Sequence, residues 1–138
     1  MKKYVFTGKT KQSANGEILR QIQAVRNLPS LLVKAGDIGG WIESEENLSH
    51  HGDCWVFPGS QVSANARITE NAGIYDSTVS GDAAVRGNAK VCKNANVYDH
   101  ADISDNAYVV GPIHVYGDTK VDKDTVVCKS IHGYPAQI

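Results

Sequence analysis

The sequence predicts an all-β protein, a parallel β-helix, and three observations carry that prediction. From Val56 an aliphatic residue returns at every sixth position: Val62, Ile68 and Ile74, then Val79, Val85, Val91, Val97, Ile103, Val109, Val115, Val121 and Val127, with one step, Ile74 to Val79, short by a residue. Two positions before most of these stands a small residue (Ala66, Ala72, Ala83, Ala89, Ala95, Ala101, Ala107, Thr119, Thr125). One position earlier again stands a turn former: Asn65, Asn71, Asp82, Asn88, Asn94, Asn106, Asp118 or Asp124. A fixed six-residue period is the signature of a stacked solenoid. The physics agrees: each short strand buries one aliphatic side chain, the small residue leaves room for the chain to bend, and Asn tolerates the positive φ of a tight corner.

The first fifty residues break the period. Lys3–Gly8 reads as a short strand, and Lys9–Gly16 as a polar turn ending in Asn15-Gly16, a hairpin signal. The stretch Ile18–Arg26 carries both patterns, since Ile18, Ile22 and Val25 suit a helix face while its β-branched content suits a strand. Pro29 and Gly39-Gly40 punctuate the next stretch, Trp41-Ile42 opens an extended segment, and Leu48 is placed to be the first, irregular aliphatic of the solenoid. A solenoid end needs a cap over its open apolar core and free strand edges. Residues 1–47 are assigned that role, 48–130 the β-helix and 131–138 a tail.

The stretch ILRQIQAV, followed by KAGDIGGWIESEENLSHHGDCWVF with its Gly-Gly-Trp and Gly-Asp-Cys-Trp pieces, is similar to the start of the YdcK-like group of bacterial and prophage hexapeptide-repeat proteins. The resemblance covers residues 17–57, and beyond them the match is one of generic repeats. It implies a left-handed parallel β-helix with an N-terminal β-hairpin cap, and it turns Ile18–Arg26 into a strand of that hairpin. It brings no catalytic residue with it.

In such a helix three six-residue units make one triangular coil, so residues about 18 apart stack at the usual inter-strand spacing of about 4.8 Å. Three inward columns result: Val56, Ile74, Val91, Val109, Val127; Val62, Val79, Val97, Val115; and Ile68, Val85, Ile103, Val121. Their sequence neighbours point outward. The third face is charged and solvated, with Arg67, Arg86, Asp102, Lys120 and Asp122. The second is polar below and aromatic above, ending in Tyr98, His114 and Tyr116. The first presents Trp55, Phe57, Tyr75, Cys92, Tyr108 and Val110, an apolar column of the kind that marks a contact surface. Either the N-terminal segment folds back over this face or another chain covers it. The expected partner is a second or third copy in a homo-oligomer, a host protein complex, or both.

Composition narrows the function. The 138 residues suit one domain, and no apolar run approaches a membrane span or the core of a signal peptide. Cys54, Cys92 and Cys128 are odd in number and lack metal or redox spacing, which suits reduced thiols in a cytoplasmic protein, the host cytoplasm if the gene is carried by a phage. Seven basic residues (Lys2, Lys3, Lys9, Lys11, Arg20, Arg26, Lys34) against Glu17 give residues 1–34 a net charge of +6, and the rest carries −7. The basic residues are scattered singly and the repeats offer no basic groove, so the segment is expected to dock on the acidic body, and nucleic acid is not an expected partner.

Catalytic chemistry finds little to stand on. A hexapeptide acyltransferase using a CoA thioester needs a histidine base in a groove between subunits. His114, flanked by Tyr98 and Tyr116, is the best candidate; His100 occupies a corner slot, His50-His51 the approach to the solenoid and His132 the tail. No pair among the five histidines is spaced for one zinc site, so no metal or cofactor is expected. The leading expectation is a non-enzymatic binding or assembly protein presenting its apolar face to itself or to a host complex, in one version a phage-encoded inhibitor of a host defence system. The alternatives are the acyltransferase and an oligomer that sequesters a small metabolite or nucleotide.

Overall fold

A computed structural model describes residues 2–132. Each aliphatic of the six-residue period sits in a strand of two or three residues, and successive strands turn through three faces before the chain returns one rung higher. On face one Trp55–Val56, Gly73–Ile74, Lys90–Cys92, Tyr108–Val110 and Val126–Val127 stack in parallel, five strands deep. Face three stacks Arg67–Ile68, Ala84–Val85, Asp102–Ile103 and Lys120–Val121. On face two Gln61–Val62, Thr78–Val79, Asn96–Val97, His114–Tyr116 and Ile131–His132 continue the sheet begun by the N-terminal strands. The protein is a parallel β-helix.

The register is the one the period dictates. Val56 pairs with Ile74, Ile74 with Val91, Val91 with Val109 and Val109 with Val127. Val62, Val79, Val97 and Val115 form the second column, and Ile68, Val85, Ile103 and Val121 the third. All are fully buried. Leu48 bridges to Ile68 and so founds the third column. The short step from Ile74 to Val79 is absorbed at one corner. There Asp76 alone takes a positive φ of 48°, and the buried Ser77 hydroxyl donates to the Tyr75 carbonyl at 2.8 Å while accepting the Ala95 N–H at 3.2 Å.

Acidic corners hold the coils together. Glu43, Glu70, Asp99 and Asp105 each accept the backbone N–H of a residue one coil above, at Ala64, Gly87, Gly117 and Lys123, over 2.6–2.9 Å. The side chains of Asn88, Asn106 and Asp124 form a ladder along one edge, with amide-to-oxygen steps of 3.3 and 3.2 Å. Much of the acidity of the body therefore serves the corners.

Three longer strands precede the coils: β1 (Tyr4–Gln12), β2 (Ile18–Ala24) and β3 (Ile38–Ile42). They form an antiparallel meander, and β3 then pairs in parallel with Gln61–Val62, so Ile42 extends the second column downward. The stretch that carried both patterns is a strand over Ile18–Ala24, not a helix. The first hairpin turn is shorter than expected, because β1 runs on to Gln12 and leaves Ser13–Gly16 to turn. Gly39-Gly40 is not a turn at all. It lies inside β3, where a Cβ on Gly39 would come within 2.7 Å of Trp55 and one on Gly40 within 2.5 Å of the Phe57 carbonyl. The glycines are required by close approach of backbones.

Candidate interaction surface

Face one divides into a covered lower part and an open upper part. At the bottom, Trp55 was expected in the outward contact column, under either the N-terminal segment or another chain, and it is only 1% exposed beneath the N-terminal segment. Tyr4 of β1 meets it edge-on at 6.3 Å, and Gly39 of β3 packs against its ring. Trp55 therefore belongs to the core and not to a partner surface. One coil up, Phe57 and Tyr75 stack face to face at 4.2 Å, and the Tyr75 ring folds back over Gly73, which has no side chain to resist it. Burial raises the Tyr75 phenol pKa, with Tyr108 and Cys92 adding to the shift.

Above Tyr75 the face is open among the described residues. Tyr108 is 42% exposed and Val126, paired one rung above it, 51%. Beside them run Cys92 and Val110, both half-buried, and then the exposed Cys128. Lys90 stands below Tyr108 at the lower edge. Val126 and Cys128 were legible as members of this face from the period, although they were not among the residues singled out as its contact set. The three cysteines are free thiols.

Tyr98, His114 and Tyr116 are brought together on face two. Tyr98 and Tyr116 stack at 5.3 Å with ring planes 12° apart, and His114 meets Tyr98 edge-on at 5.7 Å. Among the described residues no carboxylate is paired with the His114 imidazole to orient it. Two other histidines do have acidic partners, and both use both ring nitrogens. The exposed His100 lies between Asp82, at 3.3 Å, and Asp118, at 3.8 Å. His50 is the residue that reading the sequence missed most completely. Its Nδ1 accepts the Lys3 N–H at 3.0 Å, so its Nε2 carries the proton that faces Glu45 Oε1 at 2.7 Å, and its ring stacks on Tyr4 at 4.1 Å. The imidazole is thereby a structural clamp between the N-terminal strand and the first coil.

The basic N-terminus docks where opposite charge and free carbonyls await it. Lys2 reaches Glu45 at 3.1 Å, and the Arg26 guanidinium donates to the carbonyls of His50 and Gly52 and lies 4.0 Å from Asp53. Hydrogen bonds from His50 and then from Lys2 hold the Glu45 carboxyl below its ordinary pKa. Burial acts to raise the pKa of Asp53, but its hydrogen bonds from Ser30 and the Arg26 charge win, and the net shift is downward. Among the described residues no group of three His, Cys, Asp or Glu side chains is placed to hold a metal, and no helix is long and apolar enough to cross a membrane.

No protein-family model matches the chain. It is similar to the uncharacterized acetyltransferase YdcK of Escherichia coli K12, being 38% identical over 58 residues, a match that covers 37% of this chain and 17% of that protein. Together with the stacked coils, the match agrees with a hexapeptide-repeat solenoid. Neither observation bears on a phage origin.

Proposed function

We propose that this protein is a non-enzymatic assembly module that docks through the upper part of face one, first of all onto a second copy of itself. The observation that carries this reading is the contrast along one face. Its lowest aromatic, Trp55, is covered by the chain's own β1 and β3, whereas Tyr108, Val126, Val110 and Cys128 form an apolar strip across neighbouring parallel strands. Aromatic and aliphatic groups massed in this way are typical of the desolvated centre of an interface. A self-complementary patch closes most simply under two-fold symmetry. Lys2, Lys3 and Arg26 of the N-terminal +6 segment are engaged within the chain, and nucleic acid has no part in this reading.

The test is size-exclusion chromatography with light scattering on the Tyr108→Glu, Val126→Glu double variant. The reading expects an oligomer for the natural chain, a monomer for the variant, and the same circular dichroism for both. An unchanged mass in the variant contradicts it.

A second reading is favoured by the similarity to a protein named an acetyltransferase. It would make this chain an acyl-transfer module with His114 as base, and incubation with acetyl-CoA and an amine or hydroxyl acceptor, with and without His114→Ala, tests it. The version in which the partner is a host defence complex gains no support from the fold or from the match.

A further inference from the structure

Lys3 has no measurable exposure, and neither has Cys54. A lysine in the interior is normally held by a carboxylate. Here its Nζ donates to the Cys54 carbonyl at 2.7 Å, reaches the Gly52 carbonyl at 3.5 Å and lies 3.1 Å from the Cys54 sulfur. The thiol is ringed by the carbonyls of Ile68, Ser49 and His51 at 3.5, 3.6 and 3.8 Å. A nitrogen and a sulfur nucleophile are thus fixed against one another, 51 positions apart in sequence, where β1 meets the first coil.

We propose that Lys3 and Cys54 are a covalent modification site, at which peroxide joins them through a single oxygen, Cys54 Sγ–O–Nζ Lys3. In the first step the sulfur attacks one oxygen of hydrogen peroxide. The O–O bond breaks, an S–O bond forms, and water leaves, giving the sulfenic acid. A second peroxide removes the sulfenic hydrogen and one hydrogen from Nζ as the O–N bond forms, and leaves as two waters. Sulfur and nitrogen each lose two electrons, and the two peroxides take up all four.

Three features of the site favour this outcome over ordinary over-oxidation. The amine must be neutral to react, and burial lowers the Lys3 pKa against the opposing pull of Cys54 and Asp53, while the direct hydrogen bonds of Nζ go to carbonyl oxygens and the sulfur and not to a carboxylate. The 3.1 Å approach puts the nitrogen beside the sulfur, where a second peroxide would otherwise deliver its oxygen to give the sulfinic acid. A surface groove of about 600 Å³ is lined by Ser49, His51, Gly52 and Glu70, and the carbonyls of Ser49, His51 and Gly52 also contact the pair, so these residues face the groove and the site together. A link here would tie the N-terminal strand to the solenoid and constrain the unfolded chain as a disulfide does.

The experiment uses the full chain carrying Cys92→Ser and Cys128→Ser, so that only Cys54 can respond. After peroxide treatment and digestion, mass mapping should find the Lys3 and Cys54 peptides joined, heavier than their sum by one oxygen less two hydrogens. A thiol reductant should release them, and the joined form should unfold at a higher temperature than the reduced one. Lys3→Arg, checked for fold by circular dichroism, should give no joined species. Free Lys3 beside sulfinic Cys54, or a Cys54 that stays reduced under treatment that oxidises Cys92 in the natural chain, would overturn the proposal. Neither result bears on the docking of face one.

Discussion

The coils from Trp55 to Val127 and the segment that precedes them bury apolar side chains by opposite means. In the coils most rungs do the same thing: one aliphatic inward, one small residue at the bend, one turn former, and hydrogen bonds to the rung above, with Pro112-Ile113 the clearest departure. Each residue is supported by copies of itself. In the first 54 residues nearly every contact is made once. Asn47, fully buried, accepts the N–H groups of Glu43 and Ser44 and donates to the carbonyls of Ala64 and Ala66. Tyr4 donates to the Leu48 carbonyl at 2.7 Å while packing on Trp55 and His50. A repeat spreads its stability over many equivalent rungs. A cap of singular contacts concentrates it in a few side chains, and these are the places where the two regions can be driven apart.

The largest effect should come from the repeat itself. Val91→Asp places an unpaired carboxylate in the middle of the first column, at a site with no exposure. A loss of about 4–5 kcal/mol or more is expected, enough to leave the chain unfolded or insoluble. A soluble variant that still unfolds cooperatively in urea would mean the coils can open locally and are not the common support described here.

A smaller loss is expected in the cap. Gly40→Ala brings a Cβ to 2.5 Å from the Phe57 carbonyl and 2.6 Å from that of Ser60, both backbone atoms that cannot move alone. Destabilisation of roughly 1–3 kcal/mol should result. It should appear as faster hydrogen exchange in β1–β3 with the upper coils still protected. Uniform loss of protection would show that cap and coils unfold as one unit.

Acid should separate the two regions more gently still. Glu45 is held below its ordinary value of 4.5 by His50 and then Lys2. Because the folded pKa is the lower one, its contribution is present above pH 4.5 and is lost as pH falls through the folded value. Thermal unfolding between about pH 5 and pH 3 should lose cap stability, and Glu45→Gln should flatten that dependence. The carboxylate is largely solvated, so the shift should be modest. An identical pH profile in the variant would remove Glu45 from the clamp.

The same contrast explains what could be read from the chain. Columns, register and the outward sorting of faces come from a period, which needs no knowledge of distant residues. Even the exposure of Val126 is a consequence of it, since that residue stands 18 positions after Tyr108. The covering of Trp55 was legible only as one of two alternatives, because the period places Trp55 outward but does not say whether the N-terminal segment or another chain lies over it. Gly39-Gly40 read as punctuation, and only the approach of Trp55 and of the Phe57 and Ser60 carbonyls reveals why glycine is needed. Lys3 and His50 carried no local signal whatever, since their partners lie 47 or more residues away or were unremarkable by type. The candidate surface was half legible for the same reason: its upper part belongs to the repeat, and its lower part was claimed by the cap.

The docking of face one is tested most directly by the labelling rate of Cys128, measured against protein concentration in a Cys92→Ser background. Cys128 is exposed in the single chain and lies on the apolar strip, whereas Cys54 is buried. If two copies meet through this strip, Cys128 should react quickly in dilute protein and progressively more slowly as concentration rises, and Tyr108→Glu with Val126→Glu should restore the fast rate at every concentration. A Cys128 rate that is fast and independent of concentration, in a sample whose mass is that of one chain throughout, would contradict self-docking through face one.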